Sequence, residues 1–199
     1  VTDCLTMPRA ANARSLLRFL LTVAGLALAA VFCAGTVQAQ TADGFGLTPP
    51  KGMTAEPVTH RQFDTGFGVK ASDGSIPTAG SSSHPCLVGF KFAAANNGLT
   101  KAEINKTTGS NEWRSMVRGF IGMIFDIKSE RAINVHGYNG VELAVVPKGE
   151  TGAGTVRGLM TMVETPKGRM TSVCMTTAAA YPKAERRFRA VPSGARLPE

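Results

Sequence analysis

Residues 155–177 read TVRGLMTMVETPKGRMTSVCMTT. Two runs rich in apolar and β-branched residues flank Thr165-Pro166-Lys167-Gly168, with Pro and Gly where a tight turn wants them. The stretch therefore reads as two long antiparallel strands, Thr155 to Glu164 and Arg169 to Thr177. Side chains alternate across a strand, so Val156, Met160 and Met162 share one face of the first strand. Met170 and Cys174 share a face of the second.

Working outward, Ala132 to His136 and Val141 to Val146 flank Gly137-Tyr138-Asn139-Gly140, whose Asn139-Gly140 favours a second hairpin turn. Upstream, Glu112 to about Ile127 reads as a helix capped by Asn111. Its residues Trp113, Met116, Val117, Phe120, Ile121, Ile124 and Ile127 recur at helical spacing on one face. Gly119 and Gly122 each cost about 1 kcal/mol there, a cost that close packing against a sheet would offset. A capping box, Thr100 with Glu103, opens a shorter helix to Thr108. Cys86 to Ala93 suits a buried strand, ended by Asn96-Asn97-Gly98. Beyond the long hairpin, Ala179 to Val191 is an amphipathic helix with Tyr181, Ala184, Phe188 and Val191 as its apolar stripe. The order of strand, two helices, four strands and terminal helix predicts an α+β fold, an antiparallel sheet covered by helices.

The stretch His136 to Val191 resembles the C-terminal half of PsbP-like domains. Gly140-Val141-Glu142-Leu143, the long pair Val156–Glu164 and Met170–Thr176, and the helix ending Phe188-Arg189-Ala190-Val191 carry the resemblance. The opening Cys86-Leu87-Val88-Gly89-Phe90 and the turn Glu164-Thr165-Pro166-Lys167-Gly168-Arg169 are also similar to small uncharacterised exported proteins of Gram-negative bacteria. The resemblance implies an αβα sandwich and an accessory or partner-binding role rather than catalysis. It transfers no site residue.

The N-terminal region carries the marks of an export signal. Arg9, Arg14 and Arg18 precede an apolar run, Leu20 to Phe32, and Val37-Gln38-Ala39 supplies small residues for cleavage. That run of about 13 residues is short of the ~20 that a spanning helix needs. Phe32 before Cys33 argues against a lipoprotein. Residues 1–6 precede the first initiator, Met7, and read as an upstream mis-start. The expected organisation is a leader at 7–39, a flexible segment at 40–62, and a single α+β domain at 63–199 with its core at 86–192. Periplasmic or secreted localisation follows, with no membrane span in the mature chain.

Of 22 basic and 14 acidic residues, the leader and the residues before it take Arg9, Arg14, Arg18 and Asp3, leaving a net +6. Cys4 and Cys33 also go, and Cys86 and Cys174 remain as an even pair. In an oxidising compartment such a pair reads as a disulfide. No C-x-x-C is present to suggest a redox site. Closing a loop of about 90 residues stabilises a fold by about 4–5 kcal/mol in the chain-entropy model.

The catalytic candidates are thin. Asp64-Thr65-Gly66 matches the aspartic-protease tripeptide, but no apolar strand precedes it, and Phe120-Ile121-Gly122 falls in a predicted helix; the tripeptide reads as a turn. His60, His84 and His136 show no metal-ligand spacing. The run Gly149 to Gly154 lacks the Lys-Ser/Thr of a phosphate loop and reads as a hairpin loop. Met160, Met162, Met170 and Met175 offer thioethers to copper, yet at strand spacing they suit a core. No catalytic, cofactor or metal residue is therefore assigned.

Arg186, Arg187, Arg189, Arg196, Lys148, Arg157, Lys167 and Arg169 supply positive charge for an envelope protein or an anionic envelope component. Export and the lack of interleaved aromatics disfavour nucleic acid. The expected function is that of an exported, non-catalytic accessory or partner-binding protein. The alternative is a small periplasmic enzyme whose site is assembled from residues distant in sequence. It requires a pocket with at least two convergent ionisable side chains.

Overall fold

The computed structural model describes residues 44–80, 82–149 and 154–199, together with the backbone of 39–40. The expected leader lies outside the described residues apart from Ala39, as do residues 150–153 of the Gly-rich run. Among the described residues, ten strands and three α-helices follow in chain order. The strands are β1 (Ala39–Gln40), β2 (Gly46–Leu47), β3 (Met53–Val58), β4 (Thr65–Ala71), β5 (Cys86–Phe92), β6 (Phe125–Val135), β7 (Tyr138–Pro147), β8 (Val156–Thr165), β9 (Gly168–Thr177) and β10 (Ala195–Arg196). The helices are α1 (Lys101–Thr108), α2 (Asn111–Gly122) and α3 (Tyr181–Ala190).

Seven strands form one antiparallel sheet in the order β3-β4-β5-β9-β8-β7-β6. Its centre is the hairpin read from sequence, with Thr165 opposite Gly168 and Met160 opposite Val173. The fold class is α+β, with helices on both faces of the sheet. On one face Phe67, Val69, Val88, Phe90, Leu159, Val163 and Met170 pack with the stripe of α3, Tyr181, Ala184, Phe188 and Val191. On the other, Val141, Leu143, Val145, Met160 and Met162 pack under Trp113, Val117 and Ile121 of α2. Cys86 and Cys174 stand directly opposite each other on neighbouring β5 and β9 and are joined as a disulfide, both fully buried. No helix among the described residues is long and apolar enough to cross a membrane.

Several local readings change. The β6–β7 turn is His136-Gly137, with Val135 opposite Tyr138, and Asn139 and Gly140 lie inside β7. His136 and Gly137 have φ of 51° and 83°, the positive values that a tight hairpin turn requires at both central positions. The turn is pinned from α1: Lys101 Nζ donates to the His136 carbonyl at 2.8 Å, and Asn105 Nδ2 donates to that of Gly137 at 2.8 Å. Asn139 is therefore not free to turn, because its backbone N–H is held by Asn105 Oδ1 at 2.8 Å.

The second helix stops at Gly122 rather than near Ile127. Its last turn tightens, with Met123 and Ile124 donating to the carbonyls of Phe120 and Ile121. Phe125 and Ile127 then enter β6, where pairing with β7 outweighs the helical spacing of the sequence. The cap is Ser110, whose Oγ accepts from Trp113 N at 3.1 Å, and not Asn111. Around Gly119 and Gly122 there is open space, so neither glycine serves close packing. The capping box at Thr100 and Glu103 forms as read.

The segment 40–62, expected to be flexible, contributes β2 and β3. Phe45 and Leu47 are fully buried, and β3 adds the edge strand beside β4. A few anchoring side chains do this without any periodicity to advertise it.

Candidate binding groove

Helix α2 covers only the β6–β8 half of its face, and a groove of about 430 Å³ runs beside it. The floor is Met160 and Met162 of β8 with Thr171 and Val173 of β9. One wall is Phe120, Ile121 and Ile124, and the other is Phe63 from the β3–β4 connection. Phe63 holds its place because its ring lies over Gly89 of β5, where a Cβ would meet ring carbons at 2.1 Å. Lys91 and Arg169 complete the lining.

The outer side of α2 continues this apolar surface. Met116, Phe120, Met123 and Ile124 are 58%, 56%, 69% and 55% exposed. The sequence places Met116, Phe120 and Ile124 in the same apolar stripe as Trp113, Val117 and Ile121, but only the latter three are buried. The stripe is wider than the half-sheet beneath it can cover. Large apolar side chains left exposed together along one side of a helix and the turn after it mark an interaction site more often than a scattered exposed leucine does.

The charged groups around the groove are held by partners. Lys91 Nζ meets Asp64 Oδ1 at 2.5 Å, and Asp64 Oδ2 accepts from the backbone N–H of Phe92 at 2.8 Å. The hydrogen bond from Lys91, together with that backbone N–H, holds the Asp64 carboxyl below its ordinary range. The protease-like tripeptide is thus a strand-end lock between β4 and β5. Arg169 Nε meets Glu164 Oε1 at 2.5 Å, and Asn96 also reaches that carboxylate.

The clearest convergence of ionisable groups lies on the opposite face. Glu142 is 5% exposed, accepts from Arg131 Nε and Nη2 at 3.2 and 3.0 Å, and accepts from Arg189 Nε at 3.0 Å. Both carboxylate oxygens are engaged, and the cluster ties α3 to β6 and β7. Among the described residues no group of three or more His, Cys, Asp or Glu side chains is placed to hold a metal ion.

The three histidines are apart. His136 forms the hairpin turn, and His60 stacks near Phe63. His84 is buried, with Nε2 2.6 Å from Glu56 Oε1 and Nδ1 2.9 Å from Ser83 Oγ. The methionines divide as well, Met160 and Met162 under the groove and Met170 in the core beneath α3.

The basic residues read as one surface are dispersed. Arg189 serves Glu142 and Glu185, Arg187 meets Asp73, and Arg196 donates to the Gly44 carbonyl. Arg169 is on the groove face, while Lys148 Nζ reaches the Gly122 carbonyl at the end of α2. Phe63, Lys91, Thr171 and Val173 carried no signal for the groove in sequence. The excess width of the α2 stripe was the one available sign.

No protein-family model matches the chain, and no curated protein matches it either. Among solved structures it is similar to cyanobacterial PsbP from Synechocystis sp. PCC 6803. The identity is 14%, over 85% of this chain and 98% of that chain, with a TM-score of 0.48. It is also similar to PA94, a protein of unknown function from Pseudomonas aeruginosa. There the identity is 12%, over 76% of this chain and 90% of that chain, with a TM-score of 0.38.

Proposed function

We propose that this chain is an exported, non-catalytic accessory protein of the cell envelope that works by binding, and that the groove beside α2 is its binding face. One observation carries the reading: four large apolar side chains on or next to α2 are more than half exposed and run into a groove with an apolar floor. Fully burying a large apolar side chain is worth roughly 1.5–3 kcal/mol, and with more than half of each still in water a good part of that is forfeited. A partner that covers them recovers it. The export signal in the sequence and the buried disulfide support work in an oxidising compartment.

The test is a photoreactive residue placed at Phe120 in the full chain, produced and irradiated in its own cells. Position Lys183, on the exposed side of α3, serves as the control. The expected result is a defined adduct from position 120 and none from position 183. Identical patterns from both positions, or no adduct from either, would overturn the reading.

A further inference from the structure

We propose that the groove takes a single-chain amphiphile with an anionic head, one molecule at a time, its head at Lys91 and Arg169 and its tail along β9. This rests on the reading of the groove as the binding face. Lys91 and Arg169 stand directly opposite each other on β5 and β9 and both line the groove. Like charges facing across strands repel. Here each is balanced by a carboxylate, Asp64 or Glu164, and neither carboxylate lines the groove. What the groove presents is two cations at one end. Glu164 engages Arg169 through Nε, which leaves donors of the planar guanidinium for an incoming anion.

From that end the floor turns apolar. Thr171 and Val173 lie two and four residues along β9 from Arg169, so the trough runs about 13 Å at ~3.3 Å per residue. Phe63 stands on one side and Phe120 and Ile124 on the other. A charged end followed by an apolar run has the polarity of a carboxylate, sulfate or phosphate head on a hydrocarbon tail.

Width selects the occupant. Phe63 covers β5 at Gly89, and Trp113, Val117 and Ile121 of α2 sit over β7 and part of β8, which leaves β9 and the Met160–Met162 side of β8 as the floor between them. Neighbouring strands are about 4.8 Å apart, so the gap between walls standing on β5 and over β8 is under about 10 Å. A methylene chain fits that width, whereas an α-helix of 10–12 Å does not. The volume of about 430 Å³ falls within the range of small-molecule sites.

Isothermal titration of the purified, oxidised protein tests this with sodium decanoate, decyltrimethylammonium bromide and 1-decanol, each below its aggregation threshold. The expected result is one decanoate per chain, bound at least tenfold more tightly than the cationic analogue, with a preference that shrinks as salt rises. The double variant Lys91→Gln/Arg169→Gln should lose that preference while still binding decanol, and Val173→Glu should abolish decanoate binding. Far-UV circular dichroism checks that each variant is folded. The comparison of anion and cation on the unaltered protein needs no variant at all.

Equal affinity for anion and cation would overturn the proposal, as would decanoate binding undisturbed by Val173→Glu. Co-sedimentation with phosphatidylglycerol vesicles without any decanoate binding would overturn it in favour of a bilayer surface. A protein adduct from position 120 with no decanoate binding would remove the ligand assignment and leave the binding face standing.

Discussion

Replacing both bridge residues, Cys86→Ala with Cys174→Ala, is expected to lower unfolding free energy by about 4.6 kcal/mol. The figure comes from the sequence separation of 88 residues between the two cysteines, through the loop-closure entropy of the unfolded chain at 25 °C. At about 2–4 °C of midpoint per kcal/mol for a chain of this size, the melting temperature should fall by roughly 9–18 °C. Because the bridge acts mainly on the unfolded ensemble, the denaturant slope should rise in the variant, whose unfolded chain is free to expand. Urea titration followed by circular dichroism gives both quantities, with intact mass and thiol counting to confirm the oxidised state of the parent. Both sulfurs are buried in the sheet between β5 and β9. A reductant should therefore react only as fast as local opening exposes them. A loss below about 1 kcal/mol with an unchanged slope would refute the chain-entropy reasoning. Two free thiols on the native protein would refute the bridge itself.

The two sides of α2 should respond oppositely to truncation. Val117→Ala should cost about 1–2 kcal/mol because it opens space in a packed cluster, while Phe120→Ser should change stability by less than about 0.5 kcal/mol; thermal melts of the two variants check this. The Glu142 cluster should be non-additive. Arg131→Ala and Arg189→Ala should each be mild, but together they leave a buried carboxylate without a counter-ion, for a combined cost of about 3 kcal/mol in a double-mutant cycle.

Acid should destabilise the fold. Hydrogen bonds from His84 to Glu56, from Lys91 to Asp64, from Ser75 to Asp73 and from Thr100 to Glu103 each hold a carboxyl below its ordinary value of 4.5 or 3.8. A lowered folded-state pKa gives stability that is complete above the ordinary range and is lost as pH falls through the lowered value. The urea midpoint should thus be level above about pH 5 and decline below about pH 4. A midpoint that rises on acidification would contradict these contacts.

Much of the frame is local and was legible in the chain. Pro166 and Gly168 set the central hairpin, and period-2 alternation set which residues of β8 and β9 share a face. The α3 stripe Tyr181, Ala184, Phe188 and Val191 is buried as its spacing indicates. What went astray involved competition between distant segments. The Asn139-Gly140 dipeptide is a strong turn signal, yet Asn105 of α1 holds Asn139 in the strand and moves the turn to His136-Gly137. Ile127 fits a helical stripe, yet pairing with Val145 draws it into β6. Phe45, Leu47 and Met53 have no period at all, so their anchoring role appears only when the sheet they complete is present.

The same division holds for the groove and the bridge. Residue types and spacing alone pointed to Cys86 and Cys174 as a bridged pair, to an antiparallel sheet, and to a broad apolar stripe on α2. These follow from residue type and from spacing along one element. That β5 lies beside β9, which sets Cys86 opposite Cys174 and Lys91 opposite Arg169, emerges with the assembled sheet. So does the reach of α2, which stops short of covering β9 and leaves Phe120 and Ile124 beside an open floor. Strand order and the extent of a helix's cover depend on which distant surfaces bury the most area together, and no single segment encodes that.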